Sequence, residues 1–416
     1  MFHGADYLDK VNLKIIVMNC SLRIFTLLLS LLLLAGYSHA QGIWTGQTSG
    51  TNKTLYALDF ANDNDGWAVG FSGTVIGTQD GGNTWNSLPS GTGKWLLGVH
   101  FPDSLHGYAV GVNAIIYTNN GGTSWITLDT ISGNWYYTPY FLDANTGWIC
   151  GKNGLVLGTT NAGISWNSYN TGGDEELLST YFLDQMTGWV CGGLGVIFKT
   201  TDGGVTWTPQ NSGTSVALES IVFTDANNGW IAGDSSIILH TTDGGATWNI
   251  QNIDAPGDRL EIIDFPDVNH GLAVGGNGTV LFTNDGGATW SQQNSGTNEF
   301  LFGVSFINAG KAWACGTNGT MLQYDDPTSD IFQTSNDPGI QLKPNPGSEQ
   351  IIVQTTSNEM EKMTISIYNI NGELTHTQTI FKTETIIRTD DLPNGIYFVE
   401  VQIRQNRFIE KLIIQH

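Results

Sequence analysis

Thr241-Thr242-Asp243-Gly244-Gly245-Ala246-Thr247-Trp248 is a stretch that the chain repeats. Near copies run from Thr78 to Trp85, Thr118 to Trp125, Thr159 to Trp166, Thr200 to Trp207 and Thr283 to Trp290. The closing tryptophans are spaced by 40, 41, 41, 41 and 42 residues. A fixed period of this size marks a repeat architecture. Within the octet, Asp-Gly-Gly is turn chemistry, because glycine enters positive φ freely and a short carboxylate accepts nearby backbone N–H groups. Thr-Trp then restarts a strand. The carboxylate position holds Asp80, Asn120, Asn161, Asp202, Asp243 and Asp285. Asparagine stands there twice, so the position needs no charge, which favours turn bonding over catalysis or metal ligation.

Working outward, each unit carries four short strand signals. In the first, Leu55 to Phe60 is strand A, Trp67 to Gly70 strand B and Thr74 to Thr78 strand C. The octet then turns into strand D at Thr84-Trp85. Four antiparallel strands per unit of about 40 residues make one propeller blade. Strand A ends at Phe60, Phe101, Phe141, Phe182, Phe223, Phe265 and Phe306, so there are seven units but six octets. The seventh lacks strand D. Trp44 to Thr51 matches Trp207 to Thr214 and Trp290 to Thr297, and Trp44 lies in register with Trp85. The expectation is an all-β chain: a seven-bladed β-propeller over residues 41–326, with its N-terminal strand completing the last blade. Closing a ring removes exposed sheet edges.

The octet resembles the Asp-box of sialidase-type propellers, where it is a structural hairpin. Over residues 41–326 the pattern resembles the BNR-type repeats of photosystem II assembly factors, which are also seven-bladed. Those factors depend on basic surface residues. Here residues 41–336 hold six basic side chains, Arg259 the one arginine among them, against 26 acidic ones. The assembly role therefore does not transfer. So acidic a surface also repels phosphate backbones, which excludes nucleic acid as a partner.

Ile24 to Leu34 is an apolar run with Arg23 before it and Ser38-His39-Ala40 after it, the pattern of a signal peptide cleaved after Ala40. Met18 is the expected true start. The run is short for a membrane span, so none is expected in the mature chain. Cys20 leaves with the signal. Cys150, Cys191 and Cys315 each stand where other repeats carry Val69, Ala232 or Val274, and so read as buried free thiols.

Beyond Asp326 the repeat stops. Residues 327–339 read as a polar linker, and 340–416 as alternating strands at Ile351 to Gln354, Met363 to Tyr368, Ile396 to Ile403 and Phe408 to Ile414. Asn371-Gly372 is a hairpin signal. Short strands over such a length suggest a small immunoglobulin-like β-sandwich. Pro344-Asn345-Pro346, Tyr368 to Gly372, Leu392 to Val399 with Gly395 and Tyr397, and Lys411 to Ile414 resemble the type A C-terminal sorting domain of the bacterial type IX secretion system. The resemblance implies Sec export, outer-membrane crossing and a secreted or cell-surface protein, with the secretion machinery as partner.

The sequence holds no zinc-protease, nucleophile-elbow or phosphate-loop motif. A lone arginine excludes the carboxylate-holding cluster of a sialidase. Asn62 to Gly66 and Asp225 to Gly229 resemble calcium loops, but their ligand spacing is incomplete and turn formation reads better; no other cofactor is implied. Six residues before the strand-A phenylalanine stand Thr54, Trp95, Trp135, Glu176, Ala217, Arg259 and Phe300. Two further on stand Tyr56, Leu97, Tyr137, Leu178, Glu219, Glu261 and Phe302. Both sets should ring one mouth of the channel. Aromatic platforms with a few acids suit a sugar or peptide. The candidate ligand-binding residues are Trp95, Trp135, Tyr137, Glu176, Arg259 and Phe300, for an extracellular glycan or protein. The alternative is a glycosidase resembling xyloglucanases, with Glu219 and Glu261 as its acid pair.

Overall fold

The computed structural model describes residues 42–129, 133–251, 253, 258–325, 340–343, 350–355, 362–369, 374–380, 384–403 and 406–415. The signal peptide, the linker, Pro344, Asn345, Pro346 and Gly372 lie outside these residues. Among those described, no helix is long and apolar enough to cross a membrane.

Seven four-stranded antiparallel sheets follow one another, each ordered A-B-C-D. Blade 1 is Leu55–Phe60, Gly66–Gly70, Val75–Thr78 and Asn86–Leu88. The A strands of blades 2 to 7 are Leu96–His100, Tyr136–Phe141, Leu177–Phe182, Leu218–Phe223, Leu260–Asp264 and Leu301–Asn308. They neighbour one another around a closed ring. Blade 7 takes its D strand, Ile43–Gly46, from the start of the ring, pairing Ile43 with Asp325 and Gly46 with Leu322. The seam repeats the bonding of an ordinary blade. Ser49 Oγ donates to Gly319 O at 2.6 Å, as Ser295 Oγ donates to Gly278 O at 2.6 Å in blade 6.

The octet is a closed hydrogen-bond knot. Thr78 Oγ1 donates to Asp80 Oδ1 and accepts from the Gly82 N–H, while Asp80 accepts the N–H and hydroxyl of Thr84 at 2.9 and 2.7 Å. Where asparagine stands, the last bond changes polarity: Asn120 Nδ2 donates to Ser124 Oγ, and Asn161 Nδ2 to Ser165 Oγ. The partner hydroxyl is threonine opposite each aspartate and serine opposite each asparagine. A hydroxyl both donates and accepts, so either pair closes the turn. Both side-chain oxygens of the aspartate are used inside the octet, which makes it scaffold. In blades 1 to 6 the D strands begin two residues later than the sequence implied, after the tryptophan, whose ring packs edge-on against the phenylalanine of its own blade.

Neighbouring blades are joined through strand B. Trp67 stacks on Phe101, Trp148 on Phe182, Trp189 on Phe223 and Trp230 on Phe265, at 3.5 to 3.9 Å between ring centroids. The same indoles donate to a glycine carbonyl in the next octet, as Trp189 does to Gly244 at 3.2 Å. Cys150, Cys191 and Cys315 are buried free thiols, and burial pushes Cys150 up to about 12.

The tail has seven described strands where the sequence reading found four. Ile340–Lys343, Leu374–Ile380 and Glu384–Arg388 are the additions. Strands rich in threonine and charge carry little apolar alternation, which hid two of them. A three-stranded and a four-stranded sheet share one core, built on Ile351, Val353, Ile365, Val399 and Leu412. Met363–Asn369 and Leu374–Ile380, which flank Asn371-Gly372, pair antiparallel. Tyr397 is buried and its hydroxyl donates to Pro393 O at 2.9 Å; Gly395 opens the strand Gly395–Ile403, and Lys411 lies on the last strand, Asn406–Ile414.

Candidate functional site

The mouth of the channel is built from a backbone that is the same in all seven blades and side chains that are not. The residue just ahead of each strand A offers its carbonyl to the N–H of the B–C turn of its own blade: Phe71 to Thr54, Val112 to Trp95, Lys152 to Trp135, Gly193 to Glu176, Asp234 to Ala217, Gly276 to Arg259 and Thr317 to Phe300, all at 2.9 to 3.1 Å. The last residue of strand B is glycine throughout because of this approach. A Cβ on Gly70 would lie 2.0 Å from Thr54 O, and one on Gly111 1.9 Å from Trp95 O. The main chain is thus fixed whatever side chain it carries.

Two residues further on, each strand A breaks register with strand B, between Leu55 and Ala57, Leu218 and Ser220, or Leu260 and Ile262, for example. One residue is left over in six blades and two, Tyr137 and Thr138, in blade 3, and such a β-bulge re-aims its side chain. The first such residues of the blades are Tyr56, Leu97, Tyr137, Leu178, Glu219, Glu261 and Phe302, and all seven line a cavity of about 500 Å³ on the axis.

Two walls face each other across this cavity. One is aromatic and runs from blade 7 to blade 2. Phe300 stacks on Phe302 at 4.4 Å, Phe302 meets Tyr56 edge-on at 5.2 Å, and Tyr56 stacks on Trp95 at 6.4 Å. Phe71, from a B–C turn, tilts against Trp95 at 5.0 Å. Trp95 is 40% exposed, a large apolar face left open to solvent.

The other wall is charged and belongs to blades 3 to 6. Arg259 pairs with Glu219 at 2.8 Å, Glu261 at 2.8 Å and Asp234 at 3.6 Å. Burial raises Glu261 to about 7, only partly offset by Arg259, and raises Glu219 in the same way. Tyr137 donates to Glu176 at 3.0 Å, Lys152 pairs with Glu176 at 3.3 Å, and the Lys152 ammonium sits 4.4 Å over the Trp135 ring. Arg259 holds both Glu219 and Glu261, so both carboxylates are engaged in ion pairs on this wall.

Of the binding candidates, Trp95, Trp135, Tyr137 and Arg259 line the cavity, Glu176 holds Tyr137, and Phe300 backs Phe302. Sequence reasoning missed Phe71, Lys152 and Asp234. The signal was available: they fill one position, directly after the strand-B glycine, and it varies as the mouth ring does.

Asp59, His100 and Asp264 also line this cavity, and their polar atoms are taken up by bonds between blades. Phe101 N–H donates to Asp59 at 2.6 Å, Phe141 N–H to His100 Nδ1 at 3.3 Å and Phe306 N–H to Asp264 at 2.7 Å, each joining one blade to the next. Burial lowers His100 and raises Asp264 to about 6. The calcium-like turns are likewise spent on themselves. Asn62 Oδ1 accepts the N–H groups of Asn64 and Asp65, and Asp225 Oδ1 those of Asn227 and Asn228. Among the described residues no three His, Cys, Asp or Glu side chains gather as a metal site.

With this geometry in hand, the chain can be set beside known proteins. The family model of the photosynthesis system II assembly factor YCF48 matches residues 84–172, 165–265 and 254–325. That of the secretion system C-terminal sorting domain matches residues 341–415. Among solved structures, YCF48 bound to D1 peptide shares 20% identity at a TM-score of 0.59, covering 70% of this chain and 96% of that one. YCF48 from Cyanidioschyzon merolae shares 20% at 0.58, covering 68% and 98%. PorZ, described as an essential bacterial surface component of the type-IX secretion system of Porphyromonas gingivalis, shares 12% at 0.52, covering 89% and 60%. At these identities the likeness is one of fold. No curated protein matches the chain. The sorting domain directs the chain through type IX export to the cell surface or the medium.

Proposed function

We propose that this chain, which belongs to the photosynthesis system II assembly factor YCF48 family, is an exported binding propeller that captures a ligand at the channel mouth and performs no chemistry on it. One observation carries the reading. Seven alike backbone anchors carry varied side chains at the mouth of a cavity of about 500 Å³, with the Trp95 face open to solvent. A scaffold that holds its main chain constant while its side chains vary is how repeat folds present binding surfaces. An exposed aromatic face at a concave site stands ready for a partner. YCF48 is known in complex with a peptide, which supports an extended protein segment as the ligand class over a glycan. The domain organisation that goes with this reading is a signal peptide over 1–40, the propeller over 41–326, a linker over 327–339 and the sorting domain over 340–416.

The experiment is a peptide and glycan array probed with the exported chain, run beside a glycoside hydrolase screen. Capture that disappears in a Trp95→Ala variant supports the reading. Hydrolysis that depends on Glu219 or Glu261 would replace it with the glycosidase.

A further inference from the structure

The two walls of the mouth differ in chemistry, and together they select a charge. On the acidic side, Glu219, Glu261 and Asp234 converge on Arg259, three carboxylates on one guanidinium. Ionised carboxylates accept hydrogen bonds, so this wall is rich in acceptors, and its three carboxylates outnumber the one guanidinium they hold. On the aromatic side, Tyr56, Trp95 and Phe302 present ring faces, whose quadrupole attracts cations. The mouth already practises this recognition on its own side chains. Lys152 lies over Trp135 while paired with Glu176, and Arg259 pairs with the carboxylates of the acidic arc and leaves Asp234 half exposed. Across residues 41–336, 26 acidic side chains against six basic ones extend the same field outward.

From the geometry of these two walls, and resting on the reading of the mouth as a binding site, we infer that the ligand is a basic peptide segment. Its ammonium or guanidinium group seats on the Glu219–Glu261–Asp234 arc, and its apolar stem lies against Trp95 and Tyr56. A neutral glycan gains nothing from the charge of this wall. An acidic peptide would enter a field of its own sign. A lysine or arginine side chain is amphipathic in the sense the cavity is: apolar stem, charged tip.

The test uses the full exported chain and three capped pentapeptides that share a central tyrosine and differ in carrying two lysines, two glutamines or two glutamates. The lysine peptide is expected to bind about tenfold more tightly than the glutamine peptide, and to lose most of that advantage in 0.5 M salt, where exposed charges are screened beyond a few ångströms. Glu219→Gln should erase the lysine preference. Should that buried position fail to fold, Asp234→Asn on the exposed B–C turn should reduce the preference several-fold. Equal or tighter binding of the glutamine or glutamate peptide, abolished by Trp95→Ala, overturns the cationic ligand and leaves the mouth as a binding site. Failure of all three peptides and of a neutral glycan array overturns both readings. A lysine preference that survives both carboxylate variants overturns the seat assigned here.

Discussion

Ser49 and Gly319 stand 270 residues apart in sequence, and the Ser49 hydroxyl donates to the Gly319 carbonyl at 2.6 Å. This bond lies at the seam between the first strand of the ring and its last blade. It should therefore respond to mutation as a closure element. Ser49→Ala leaves a buried carbonyl without its partner and is expected to cost about 1–3 kcal/mol. Deleting residues 42–52 goes further, baring the edge of Met321–Asp325, and is expected to abolish cooperative melting. A deletion variant that melts like the parent would disprove the role of the seam.

The acid limb of stability should belong to the octets. Hydrogen bonds from threonine hydroxyls and N–H groups hold Asp80 and Asp202 below the usual carboxylate range, as they do Asp243, where the Thr247 N–H leads. A depressed folded value contributes stability that is present above the unfolded value, about 3.9, and is lost as pH falls through the folded one. The melting temperature should drop below about pH 4. Replacing all three aspartates by asparagine, with serine at Thr84, Thr206 and Thr247, should flatten that drop, as blades 2 and 3 already show the pair to be workable.

Glu261 should act in the opposite sense. Its folded value is raised to about 7 by burial, while Arg259, just ahead of its own strand, and Glu219 and Asp234 on blade 5, are the charges that face it. Blade 7 contributes the uncharged Phe302 at the corresponding bulge. A raised folded value gives stability that is complete below the unfolded value, about 4.3, and lost as pH rises through 7. Buried Asp264, raised to about 6, adds the same sign. Melting temperature should decline from about pH 5 to pH 8, and Glu261→Gln should reduce the decline. A profile that rises over this range would contradict the burial of both groups.

Trp95 and Trp135 should be separable from the core. Their carbonyls, not their rings, carry the anchoring bonds to Val112 and Lys152. Trp95→Ala with Trp135→Ala is expected to abolish ligand capture while leaving the melt near that of the parent. Tryptophans that serve only to cap the core would cost about 3–5 kcal/mol each on truncation, read in the same thermal melt.

The tail should be dispensable for the propeller and required for export. Its core, centred on Ile351, Ile365 and Val399, is formed by tail residues alone. A chain lacking residues 340–416 is expected to melt cooperatively and to remain in the periplasm on cell fractionation. Its appearance in the medium would remove the sorting role.

Much of this molecule could be read in one dimension because its defining bonds are short-range. Asp243 reaches Thr241 and Thr247, at most four residues away, so the octet writes its turn into the local sequence and its period counts the repeats. Even the seam left a local mark. Strand B offers an indole to the next octet from blades 1, 3, 4 and 5, blade 2 carries Tyr108, and blade 6, which faces the blade without an octet, carries Leu272. The varying residues ahead of strand A likewise marked the mouth. What they do to one another was not legible. Arg259 meets Glu219 and Asp234 from the blade before, residues 40 and 25 positions back, and Trp95 meets Tyr56 across the same kind of gap. Those pairings depend on the bulge that turns each side chain onto the axis and on the curvature that brings adjacent A strands together. A repeat period records the first turn of a hairpin faithfully. It carries no record of which side chains the closed ring will set face to face, and that was decided only by the tertiary structure.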